Sequence, residues 1–226
     1  ELDKSSRQID KGPYPLQVLT EDIQLAGFVG ASSSTAFANM TPVACPTGIT
    51  DLGYAATTSP GTSSVPLPVY ALGSVPSCLD HVMPGTAMLV VTRVSTNAVN
   101  VASVASGERY LQISTCTNDS LPFVAATGSS AASFTLRQKD CLAANLAPLR
   151  KIVQHVYFVS TCNACGSDTT PTLKMAEYLN GAMTITPLVE GIENIQFDYG
   201  IDMDANGSTG CYTTKPHRPP PSGGGA

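Results

Sequence analysis

"LVEGIENIQFDYGIDMDANG", residues 188–207, begins as a strand and ends as a turn. Ile195, Phe197, Tyr199 and Ile201 recur at period two with Asn194, Gln196, Asp198 and Gly200 between them, the alternation of a half-buried strand. Asp202, Asp204 and Asn206 then place an oxygen donor at every second position before Gly207. This is the first half of a calcium loop, and these three are the candidate metal ligands. The bidentate Glu that such a loop needs at its twelfth position is Thr213 instead. Asp, Asn and Gly also favour the left-handed and Asx geometries of an ordinary turn. The stretch therefore reads as a sheet strand closing in an acidic turn, able to hold calcium opportunistically. No other cofactor is expected.

Upstream, the chain offers more strands and one helix. "TAMLVVTRVS" (86–95) and "KIVQHVYFVS" (151–160) are apolar and β-branched on both faces, as central strands are. "RYLQIS" (109–114) and "SFTL" (133–136) are shorter candidates. "TLKMAEYL" (172–179) and "AMTITPL" (182–188) flank Asn180-Gly181, the dipeptide of two-residue hairpin turns. In "YPLQVLTEDIQLAG" (14–27), Leu16, Leu19, Ile23 and Ala26 form one helical stripe, with the Glu21-Asp22 pair assigned to the wet face. Pro13 and Pro15 are tolerated in a first helical turn, and Gly27 is a C-terminal stop. Residues 2–10 read as a separate turn or frayed helix. Residues 31–85 are rich in Ser, Thr, Gly and Pro, with Cys45 and Cys78 placed to pin them and room for short strands within. The expected fold is α+β: an N-terminal helix packed on an antiparallel β-sheet, with a long disulfide-pinned loop between them. Residues 1–210 read as one globular domain (helix 14–27, loop 31–85, sheet 86–201) and 211–226 as a Pro/Gly-rich tail.

A chain of 226 residues can bury a core without help. Its net charge of −5 and its lack of Trp argue against nucleic acid as a partner, since neither a basic footprint nor a stacking platform is present. Seven cysteines point to an oxidising compartment and, being odd in number, leave at least one unpaired within the chain. Cys45, Cys78, Cys116, Cys141, Cys162 and Cys165 are the candidates for up to three bridges, with connectivity open. A zinc site lacks a second ligand pair, because the Cys162–Cys165 pair has only His155 nearby in sequence. The chain begins at Glu1 and carries no apolar run of membrane-spanning length, so it reads as a processed product or soluble fragment.

Catalytic motifs are missing. The three histidines fall in the tail (His217), the Pro-rich loop (His81) and a strand (His155), and no metalloprotease, nucleophile-elbow, phosphate-loop or dinucleotide pattern occurs. Cys162-Asn163-Ala164-Cys165 follows a strand and lacks the helix N-terminus that lowers a redox thiol's pKa, so a small structural bridge is the favoured reading over a thiol oxidoreductase. Glu190 and Glu193 read as the turn before a strand. The protein is expected not to be an enzyme.

"LQVLTEDIQLAGFVG" (16–30) and "PLVEGIENIQFDYGIDMDANG" (187–207) together resemble the PilW family, minor pilins of bacterial type IV pili. "GTAMLVVTRVSTN" (85–97), "GERYLQIST" (107–115) and "VQHVYFVSTC" (153–162) are similar to that family's sheet strands. The resemblance implies a structural subunit of a tip or priming complex, with roles in pilus assembly, cell adhesion and twitching motility. Its implied partners are other minor pilins and a tip adhesin. It also implies membrane anchoring before assembly through an N-terminal apolar helix absent here, in the inner membrane and periplasm and then at the pilus tip. Pro13 and Pro15 depart from the family's smooth helix, Ala31 stands where a Cys is common, and Cys211 is left without its expected partner. Leu16, Leu19 and Ile23 on the helix, and Ile195 and Phe197 on the edge strand, are the candidate partner-interface residues. The alternative is an adhesin-like binding module acting through the 31–85 loop.

Overall fold

The computed structural model describes residues 13–32, 37–59, 61–179, 182–201 and 209–213. The helix α1 (Pro13–Gln24) comes first, then β1 (Ala38–Met40), β2 (Ser64–Pro66) and β3 (Val69–Ala71). The long strands follow: β4 (Leu89–Val99), β5 (Arg109–Ile113), β6 (Phe123–Thr127), β7 (Leu149–Ser160), β8 (Thr172–Leu179) and β9 (Ala182–Glu190). β10 (Tyr199–Ile201) and β11 (Cys211–Thr213) close the described chain.

β4 and β7 make the centre because they are apolar on both sides: Val90, Val91, Val94, Val156, Tyr157, Phe158 and Val159 are all fully buried. They pair antiparallel, with Val90 opposite Val156 and Leu89 opposite Tyr157. The seven-stranded sheet runs β3-β4-β7-β5-β6, and β8 also joins β7 and carries β9. β7 therefore forks. Its start pairs with β5 (Tyr110 opposite Lys151) and its end with β8 (His155 opposite Glu177). β1 and β2 form a separate parallel pair, β10 and β11 an antiparallel one.

Each face has its own cover, as the period-two alternation of the strands requires. On the first, Val94, Leu111, Ile113, Phe123 and Ile152 pack with Leu52 and Tyr54, while Val90, Val156 and Phe158 pack with Leu79. The buried covering residues Leu52, Tyr54 and Leu79 come from the Pro-rich segment, which contains β1 to β3 and is closed by the Cys45–Cys78 bridge, and Phe28 and Val29 add to them. On the second face, Leu89, Val91 and Tyr157 pack with Leu19 of α1 and with Ile195, Phe197 and Tyr199. The chain passes round the sheet edge at Gly27, whose N–H donates to Thr92 O at 2.8 Å, and Phe28 O accepts from Val94 N. Gly27 has φ 75°, and a Cβ there would meet Pro68 Cγ at 2.8 Å, so only glycine fits this crossing.

These findings correct the α+β expectation. Among the described residues the fold is mostly β, with 38% strand against 12% helix, and it is not a pilin-like helix laid along a sheet. The physical reason is that α1 spans 12 residues and commits only part of its stripe. Leu19 is 7% exposed, but Leu16 is 57% and Ile23 39% exposed, so most of the second face is covered by other segments. Among the described residues, no helix is long and apolar enough to cross a membrane.

Other expectations also shift. Residues 192–198 are not a strand: they keep the alternation, with Ile195 and Phe197 half-buried, but form an arm held to the chain just before β4 by Ala87 N donating to Ile195 O at 3.3 Å. The expected edge strand is confined to Tyr199–Ile201, paired with Cys211–Thr213. "SFTL" is irregular, and the strand of that region is Phe123–Thr127. Residues 2–10, the Asn180-Gly181 turn, the acidic turn with Asp202, Asp204 and Asn206, and the 216–226 tail lie outside the described residues.

Candidate functional site

The structure joins six cysteines as Cys45–Cys78, Cys116–Cys141 and Cys162–Cys165. The first closes the cover of one face. The second closes the loop between β5 and β7, where Asp119 braces it: its carboxylate accepts from Arg137 Nε and Arg137 N, both at 2.8 Å, and from Ser114 Oγ at 2.7 Å. The third ties the tight turn after β7. The seventh cysteine, Cys211, begins β11.

The densest polar constellation lies beneath α1, on the second face. Asp22 is 3% exposed, which corrects its assignment to the wet face of the helix. It stands three residues after Leu19 and four before Ala26, on the apolar stripe itself. Its Oδ1 accepts from Arg93 Nε of β4 at 2.5 Å. Its Oδ2 accepts from His155 Nδ1 at 2.7 Å and from the Tyr157 hydroxyl at 2.9 Å, both on β7. Register explains the convergence: Arg93, His155 and Tyr157 share a face, and β4 and β7 run side by side. The second ring nitrogen of His155 lies 3.4 Å from Glu177 Oε2 on β8, directly across the strand pair.

Charge and burial compete in this cluster. Burial disfavours the Asp22 carboxylate, but the hydrogen bond and charge of His155, joined by Arg93, outweigh it and hold the group below its ordinary 3.8. Burial likewise opposes a charged His155, and the hydrogen bonds and charges of Asp22 and Glu177 overcome it, raising the imidazole above 6.5. Glu177 is held below 4.5, chiefly by its hydrogen bond with His155. Burial and the neighbouring Asp22 charge push the Tyr157 phenol upward. The cluster meets solvent in a depression of about 240 Å³ at the fork of β7, lined by Lys151, Gln154, His155, Glu177 and Tyr178. Both ring nitrogens of His155 are engaged and the Tyr157 hydroxyl is turned into the core. Chemically, this is a latch that fastens a helix to a sheet.

The sequence puts His155 on a strand and Asp22 on a helix, and only the register of β4 with β7 joins them. Of the interface candidates, Leu19, Ile195 and Phe197 are drawn together against Tyr157, while Leu16 and Ile23 remain exposed.

Fold and latch define a disulfide-closed, mostly β protein with a charge-fastened helix. Within it, residues 156–218 match the family model of PilW, type IV pilus-assembly protein W. The matched stretch, just over a quarter of the chain, takes in the end of β7, the β8–β9 hairpin strands and the arm. The chain thus carries a PilW-type segment, similar over these residues to a family described as a type IV pilus-assembly protein. No curated protein and no solved structure matches the chain.

Proposed function

We propose that the protein is a non-enzymatic assembly subunit, a minor pilin that joins a tip or priming complex with other minor pilins and supports pilus assembly and surface adhesion. The family match over residues 156–218 carries this reading. Two features support it. The buried charge cluster of Asp22, Arg93 and His155 is spent on holding α1, with its acid–base groups turned toward each other. The helix stripe is only half covered, so Leu16 and Ile23 offer apolar surface to a partner, on the order of 1.5–3 kcal/mol for each side chain buried.

Co-purification with companion minor pilins tests this. Leu16→Glu with Ile23→Glu should abolish the complex while leaving thermal unfolding nearly unchanged, because both side chains are exposed. A wild-type chain that binds none of those partners would overturn the function, and full binding by the double variant would move the interface off the helix.

A second reading, an adhesin-like module acting through the 31–85 segment, is favoured by the exposure of Val43 and Val75, each within three residues of a cysteine of the Cys45–Cys78 bridge. Here Val43→Ser with Val75→Ser should cost surface attachment and spare co-purification. Deleting the segment would not discriminate, since it supplies Leu52, Tyr54 and Leu79 to the core.

A further inference from the structure

Three metal-ligating atoms that the assembly role does not use meet where the loop before β4 touches the loop after β7. They are an imidazole nitrogen of His81 and the Sγ atoms of Cys162 and Cys165, all within 4.8 Å of one another. His81 is 81 residues from Cys162 in the chain, which is why no ligand spacing announced it.

The fold builds this meeting with care for both loops. Thr161 N donates to His81 O at 2.7 Å, Met83 N donates to Val159 O at 2.8 Å, and Val82 bridges Ser160. His81 holds a left-handed backbone at φ 55°, rare for a residue with a side chain. The cysteine loop is fixed from within: Asp168 accepts from Asn163 N at 2.8 Å, Ala164 N at 2.7 Å and Thr170 N at 2.9 Å. Ser160 Oγ, fully buried, lies 3.7 and 3.8 Å from the two sulfurs. Cys162 is buried, whereas Cys165 and His81 are exposed, so the cluster opens to solvent on one side.

We propose that the reduced form of this loop is a binding site for zinc or a similar divalent cation, with the Cys162 and Cys165 thiolates and the neutral His81 imidazole as three tetrahedral ligands and water as the fourth. A protein or small-molecule dithiol supplies the first step. Its two thiols give two electrons and two protons to the Cys162–Cys165 bond, which breaks into two thiols as the dithiol closes to its own disulfide. The cation then displaces both thiol protons to solvent and accepts one lone pair from each sulfur and one from the imidazole. At zinc–sulfur distances of about 2.3 Å, the ligand atoms of a tetrahedron lie roughly 3.8 Å apart. The two sulfurs, bonded to each other in the structure, must part to that separation once reduced, and the His81 nitrogen, within 4.8 Å of both, has at most about 1 Å to close, movements within the reach of side-chain rotation. Cys-x-x-Cys is the spacing that lets two sulfurs of one turn share a tetrahedral ion. Lys174 acts in both directions: its Nζ lies 3.5 Å from Cys165 Sγ, where it stabilises a thiolate but opposes the arriving cation.

The test uses the full chain reduced with a dithiol and titrated with Co²⁺, then with Zn²⁺ in competition. One equivalent of Co²⁺ should give the thiolate charge-transfer absorption and the visible bands of tetrahedral coordination, and Zn²⁺ should abolish both. His81→Asn, which keeps a residue tolerant of the left-handed backbone, should weaken binding by about tenfold or more. Lys174→Gln should tighten it. Cys162→Ser with Cys165→Ser should lose the spectrum, which controls for the four sulfurs of the other bridges. A reduced wild type that shows no thiolate band would overturn the proposal, and so would a double-serine variant that binds as tightly as wild type. So would a reduced chain that takes no metal yet reduces a disulfide substrate. None of these outcomes bears on pilin assembly, which is read by co-purification.

Discussion

One face of the β4–β7 sheet lies under a segment stapled by Cys45–Cys78 and rooted in aromatic packing. The other lies under a helix and an arm that meet it around a buried carboxylate. The first cover is covalent and apolar: Phe123 makes edge-on contacts with Phe37 at 5.5 Å and Tyr54 at 6.0 Å between ring centroids. The second relies on Asp22 accepting three hydrogen bonds from groups on two strands, with Leu19 as the one fully committed apolar side chain among those described in the helix. A bridge and a packed ring cluster persist across solution conditions. A charge cluster lasts only while its protons are in place. The difference sorts the molecule into a permanent body and a fastened, releasable element, and the releasable element carries the exposed Leu16 and Ile23.

The contrast breaks most sharply at Phe123. Phe123→Ala removes a fully buried ring from the apolar face and should cost about 3–5 kcal/mol, read as a lowered urea midpoint for the whole chain. A cost under about 1.5 kcal/mol would show that the 37–85 segment is not rooted in the body. Asp22→Ala comes next. It leaves His155 and Arg93 facing a vacated carboxylate position, and breaking such a cluster costs about 3–5 kcal/mol, here near the lower end because both bases reach the solvent depression. Its signature should be local: hydrogen exchange across 13–25 should rise toward the unprotected rate while β4 and β7 stay protected. Unchanged protection of the helix would mean that Leu19 packing alone holds it.

Much of this architecture was legible, and the illegible parts share a cause. β4 and β7 stood out because long apolar runs are buried on both faces, and "RYLQI" because every residue of it is buried. The alternation of Ile195, Phe197 and Tyr199 was also real, since those side chains do turn inward, yet the backbone joins a ladder only from Tyr199 onward. "SFTL" repeats the lesson. Phe134 and Leu136 are buried two residues apart, but Leu136 N donates to Gln112 Oε1 instead of to a neighbouring strand. Period two reports which side chains find the core and is silent about hydrogen-bond partners. The helix stripe likewise gave a helix and not its layer: 12 residues rise about 18 Å, enough to fasten to a sheet and too little to cover it. Asp22 was readable from its place three residues after Leu19. Its partners, Arg93 and His155, depend on strand register, and so does the approach of His81 to Cys162.

The smallest expected effect sharpens the comparison most, because it should touch one face and leave the other alone. His155 has its folded-state value raised above 6.5, so its contribution to the latch is complete below that pH and is lost as the pH climbs through the raised value. Asp22 and Glu177 are depressed below 3.8 and 4.5, so their contributions are complete above those values and are lost as the pH falls through the lowered ones. The latch is therefore fully engaged between about pH 4.5 and 6.5 and loosens on both sides, on the alkaline side through His155 alone. Burial opposes the charged imidazole, which keeps the alkaline loss below that of removing Asp22 outright. Hydrogen exchange of residues 16–25 measured from pH 5 to 9, corrected for the intrinsic rate, should show growing exposure of the helix, with amides of β5 and β6 around Phe123 unchanged. His155→Gln should flatten the helix profile. If it does not, the alkaline limb arises elsewhere and the releasable element is fastened by packing.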